Sequence, residues 1–103
     1  MKEIRIDVGV YTMLTVNLSK MDFTGIEKII LTVKNLADPK APVIIEREFT
    51  EAKVHEVLIK PEESIQLTEH AKYDFDKVVD GKRLKLTDVG NVVLQRGVGD
   101  CIE

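Results

Sequence analysis

Two histidines, one cysteine and 18 Asp and Glu residues are the groups with which this chain could do acid–base, nucleophilic or metal chemistry. His55 and His70 lack the close spacing of a zinc-binding helix or a Cys/His knuckle, so they do not read as transition-metal ligands. His55 shares an alternating run with Val57 and Ile59, which predicts a packed strand histidine, whereas His70 stands among Thr68, Glu69 and Lys72 as a solvated loop residue. Cys101 lies three residues from the end beside Asp100, and a neighbouring negative charge raises a thiol pKa and blunts it as a nucleophile. Asp74, Asp76 and Asp80-Gly81 offer calcium-type oxygens. Their spacing fails a calcium loop, because Val78 and Val79 stand where an oxygen ligand and a glycine are needed. The expected state is a half-exposed strand on which Tyr73, Phe75 and Lys77 alternate with Asp74 and Asp76.

Gly97-Val98-Gly99 precedes no helical pattern and lacks the third glycine of a dinucleotide fingerprint, so it does not read as a phosphate cradle. Lys82, Arg83 and Lys85 form the one basic knot, and their alternation with Leu84 and Leu86 predicts surface charge that discourages unwanted strand pairing. Carboxylates are too many for sequence spacing to single out a hydrolytic pair. There is no Trp, and aromatic content is 5%, too little for the exposed platforms of sugar or single-strand nucleic-acid binders. No catalytic, cofactor-binding or metal-ligating residue is assigned, and the chain is expected not to be an enzyme.

These groups must be positioned by a chain of 103 residues with a net charge of −3, 44% hydrophobic and 32% charged. That length supports one core without disulfides or metal. The expected division is a single domain over residues 1–96 and a C-terminal tail over 97–103. Mild acidity without a basic cluster argues against a nucleic-acid partner, and no apolar run reaches a membrane span. Nothing near Met1 reads as a secretory signal, so synthesis in the cytoplasm is expected.

The dominant period is two, with turn signals at short intervals. Strands are expected over Glu3–Val8, Met13–Leu18, Ile26–Asn35, Val43–Phe49, Val54–Lys60, Tyr73–Val79, Arg83–Leu86 and Asn91–Arg96. Thr50-Glu51-Ala52-Lys53 is short enough to join two of them in an antiparallel hairpin, and Asp80-Gly81 is a strong signal for another. Pro61 with Glu62 and Glu63 predicts one short helical turn within 61–67. Apolar faces on every strand predict an all-β, two-layer antiparallel β-sandwich of immunoglobulin-like organisation, with a small barrel as the alternative.

The order of segments resembles a known family. Leu14-Thr15-Val16-Asn17-Leu18 leads into the Asp22-Phe23-Thr24-Gly25 turn and a long strand. Val54-His55-Glu56-Val57-Leu58-Ile59, a Pro-Glu-Glu-Ser turn, Tyr73-Asp74-Phe75-Asp76, the Asp80-Gly81-Lys82 hairpin and a closing strand after Gly90 follow. This series is similar to the immunoglobulin-like N-terminal modules of siphophage baseplate upper proteins and related small phage or prophage tail proteins, over residues 11–98. It departs from them at Glu69-His70-Ala71, where such modules place a glycine. The resemblance implies a structural role in a virion or prophage particle, with protein subunits as partners, a second copy of the chain among them, and no catalytic residue. An open sandwich would meet those partners through strand edges, for which Ile4–Val8 and Asn91–Arg96 are the candidates. An accessory carbohydrate- or ligand-binding module, with its site in loops 35–42 and 68–72, is the competing reading.

Overall fold

A computed structural model describes residues 3–36, 40–86 and 90–95. Alternation becomes strand wherever it was read. The elements are β1 (Glu3–Asp7), β2 (Thr12–Asn17), β3 (Lys28–Lys34), β4 (Val43–Phe49), β5 (Val54–Ile59), α1 (Pro61–Ser64), β6 (Lys72–Val79), β7 (Lys82–Lys85) and β8 (Gly90–Gln95). One sheet has the order β1-β8-β6-β3-β4, with β7 also on β6, and a second sheet pairs β2 with β5. Among the described residues no helix is long and apolar enough to cross a membrane.

Strand β3 is flanked by β6 and β4 and buried on both faces. Ile29, Leu31 and Val33 point into the core, while Ile30 and Thr32 are covered on the other face. The same core takes Ile6 from β1, Ile45 and Phe49 from β4, Val57 and Ile59 from β5, Val92 from β8, and Leu18, Leu67 and Ala71 from connecting segments. Both sheets therefore drain into one apolar cluster.

Turn chemistry acts where it was expected. Asp80 and Gly81 both take positive φ, 52° and 74°, the two-residue geometry that matches the twist of the β6–β7 hairpin. The Asp22 carboxylate accepts from the Thr24 N–H at 2.9 Å, and Gly25 at φ 78° turns the chain towards β3. Helix α1 is a single turn, as expected near 61–67.

Three departures have physical causes. First, β4 and β5 are not a hairpin: β4 pairs with β3, β5 pairs with β2, and residues 50–53 carry the chain from one sheet to the other. A short link permits a hairpin without requiring it, and here the apolar faces of the two strands are buried better against other neighbours. Second, the sheet is mixed, because β1 runs parallel to β8 while its other pairings are antiparallel. Third, the large sheet is curled rather than one flat layer of a clear two-layer sandwich. A two-stranded sheet is too narrow to cover a six-stranded one, and curling brings the outer strands back over the core.

The edge expected at Asn91–Arg96 is seen in part. Strand β8 pairs with β6 only at Gly90 and Asn91, with the Val92 N–H on the Ala71 carbonyl, so Val93–Gln95 have β1 on one side and no described strand on the other, while β1 ends the sheet. Arg96 and the expected tail 97–103, with Gly97, Gly99 and Cys101, lie outside the described residues.

Candidate functional site

Of the residues first considered for chemistry, His55 and Asp76 are engaged by neighbouring groups, and Cys101 lies outside the described residues. The His55 ring sits 4.8 Å from the Phe49 ring, and its Nε2 lies 2.8 Å from the Glu51 carbonyl oxygen. His70 is exposed, with Glu69 3.8 Å from its ring and its N–H donating to the Thr68 hydroxyl at 3.2 Å. Asp76 accepts from Arg83 Nε at 2.6 Å, and Asp80 serves the hairpin turn. Among the described residues no three His, Cys, Asp or Glu side chains are grouped to hold a metal ion. Partial burial, and then the neighbouring Asp76 charge, push the Asp74 carboxyl above its ordinary value.

Arg83 does more than repel a neighbouring strand. It reaches from β7 across β6 to donate to the Thr32 hydroxyl at 2.9 Å, and it stands 3.8 Å from Glu46 on β4. With Lys28 on Glu48 at 2.9 Å and Lys72 on Asn91 at 2.6 Å, it makes the outer face of the large sheet a lattice of cross-strand polar pairs.

The loops considered for a ligand are joined by one side chain. The Asn35 amide donates to the Gln66 carbonyl at 3.0 Å and accepts from the Thr68 N–H at 2.8 Å. A concavity of about 440 Å³ is lined by Glu69, Ala71, Lys72 and residues 91–94 of β8.

The strand edges differ more sharply from one another than any cluster of side chains does. An edge offers unpaired N–H and C=O groups to another chain, and proteins blunt it with charge, proline or cover. Strand β1 carries Arg5 and Asp7, β4 carries Glu46, Arg47 and Glu48, and β7 carries Lys82, Arg83 and Lys85. On β4 and β5 the defence is also structural. The Arg47 guanidinium donates to the Glu46 carbonyl at 3.0 Å and to the Leu58 carbonyl on β5 at 3.2 Å. It also grips both Glu63 oxygens, at 2.7 and 2.9 Å, so β4, β5 and α1 are drawn together on that flank.

Strand β2 has none of these devices. Its sequence, Thr-Met-Leu-Thr-Val-Asn, contains no charge, no proline and no glycine. Leu18 N–H donates to Lys53 O in the register that pairs Thr12 with Ile59, so the even-numbered residues of β2 bond to β5. The N–H and C=O groups of Met13, Thr15 and Asn17 therefore face away from β5, on a side where no strand among the described residues pairs with β2. Their side chains are exposed too, and Met13 lies opposite exposed Leu58 at 55% and 41% accessibility. Exposed Val10 and Tyr11 immediately precede this strand.

Comparison with protein-family models, curated proteins and solved structures finds no match to this chain. Two features escaped sequence reasoning. Arg47 carried no signal, since its partners come from β5 and α1. The neutral run at β2 was readable in principle, because six uncharged residues in a chain one-third charged are a local anomaly.

Proposed function

We propose that the chain is a non-enzymatic assembly protein of a phage or prophage-derived particle, acting through strand-edge contact with neighbouring protein subunits. One observation carries the reading: β2 is uncharged and has an edge that is unpaired among the described residues, whereas the edge strands β1, β4, β5 and β7 bear charges. A backbone edge adds a strand, and the alternating side chains beside it select the partner. The particle assignment is supported by the resemblance of residues 11–98 to baseplate and tail modules.

An immunoglobulin-like two-layer organisation, the finer fold reading, is supported by strand order. β3, β6 and β8 are neighbours in one sheet and β2 and β5 in the other, as strands C, F, G and B, E are in that fold. The short α1 then lies between E and F. Engagement of His55 by Phe49 and the Glu51 carbonyl, and of Asp76 by Arg83, supports the non-enzymatic part.

Mass spectrometry of particles purified from the strain that encodes the chain tests the assignment. The expected result is the chain at a stoichiometric ratio to recognised tail components. Particles that contain those components and lack the chain would overturn it. The concavity lined by Glu69, Ala71, Lys72 and β8 favours a second reading, an accessory carbohydrate- or ligand-binding module. Selective, saturable binding in a glycan screen, lost in Lys72→Ala, would favour it instead.

A further inference from the structure

We infer that the β2 edge pairs with the β2 edge of a second copy, antiparallel about a two-fold axis through Thr15, giving a continuous β5-β2-β2-β5 sheet. This rests on the reading of the chain as an assembly module and names the partner of that edge.

The free groups limit the register. Outward-facing backbone groups belong to the odd-numbered residues, and an antiparallel two-fold that pairs odd with odd can pass beside any residue from Met13 to Asn17. An axis at Thr15 engages the whole strand. It sets Thr15 against Thr15 and Met13 against Asn17 on the outer face, and half-buried Leu14 against Val16 on the inner face. No charge meets a like charge. The nearest candidates, the two Glu56 side chains, are three strand spacings apart, about 14 Å, which exceeds the Debye length at physiological salt. Inward, the pairing completes cover over Leu14 and Val16, which pack against the core but keep exposure at the open edge.

The same construction fails on β4, which makes it discriminating. A two-fold on that strand must keep each face continuous, so Glu46 would oppose Glu46, Glu48 or the half-buried Ile44. The first two are like-charge contacts, and the last leaves a carboxylate over an apolar side chain. Arg47 already occupies the Glu46 carbonyl there. A second copy therefore fits β2 and is refused by β4.

One six-residue strand pair buries less than the roughly 1,200–2,000 Å² of a standard specific interface, so association of the chain in isolation is weak and depends on concentration. Sedimentation equilibrium from low-micromolar to millimolar protein is expected to show a monomer–dimer equilibrium. Thr15→Lys sets two ammonium groups together on the axis and is expected to weaken the dimer about tenfold or more, while Glu46→Lys leaves it unchanged. Because Thr15 is exposed, the variant keeps its fold, checked by circular dichroism and melting temperature. In the wild type, amide exchange at Met13, Thr15 and Asn17 is expected to slow as the dimer fills, with other edges unaltered. A chain that stays monomeric at millimolar concentration, a dimer indifferent to Thr15→Lys, or protection at β1 or β4 instead overturns the inference. A monomer that is nevertheless present in purified particles would sink self-pairing alone and leave the assembly reading standing.

Discussion

Arg47 and Glu63 illustrate how a single pair decides which flank of the molecule is closed. Burial works to raise the Glu63 carboxyl, but the Lys60 N–H and the Arg47 guanidinium outweigh it and hold the pKa below the ordinary 4.5. A carboxylate whose pKa is lower in the folded chain adds stability above its unfolded pKa and loses it as pH falls through the folded value. Glu63→Gln is therefore expected to cost about 1 kcal/mol near neutral pH, through loss of the charge-assisted bonds to Arg47, while the amide oxygen still accepts from the Lys60 N–H. The gap between wild type and variant should close as pH falls below 4.5, read by urea denaturation across an acid series. A gap that stays constant into strong acid would show that the pair contributes shape rather than charge. None of this was legible in the sequence, where Arg47 is one of 15 basic residues and its partners lie 11 and 16 positions away.

At the scale of elements, local chemistry was legible and pairing was not. The hairpin at Asp80-Gly81 follows from two residues that accept positive φ, a property written in their types. Gly81→Ala tests it cleanly: an added Cβ meets nothing within 4 Å, so the whole penalty, about 1–2 kcal/mol, comes from holding alanine at φ 74°. A lowered denaturation midpoint with unchanged slope is the expected result. The false hairpin between β4 and β5 shows the opposite case. Thr50-Glu51-Ala52-Lys53 has no residue type that forces a tight reversal, so the choice of partner fell to β3 and β2, distant in sequence. Likewise β8 reads as a closing edge strand from its position near the end, and the parallel arrival of β1 covers one side of it while β6 reaches only Gly90 and Asn91 on the other.

Over the whole molecule, the distribution of charge on strand edges separates a closed flank from an open one. Core positions were largely legible, because Ile29, Leu31 and Val33 alternate on a strand whose neighbours bury them. The candidate surface was not, because an edge is defined by what fails to pair with it. The claim that unites fold and function is that β2 is open in the isolated chain. Residue-resolved amide hydrogen exchange on dilute, monomeric protein tests it most directly. The account predicts an alternation along β2, with Met13, Thr15 and Asn17 exchanging fast and Leu14, Val16 and Leu18, bonded to β5, exchanging slowly. Uniform protection of all six amides in the monomer would mean that the edge is already covered, and would contradict the account.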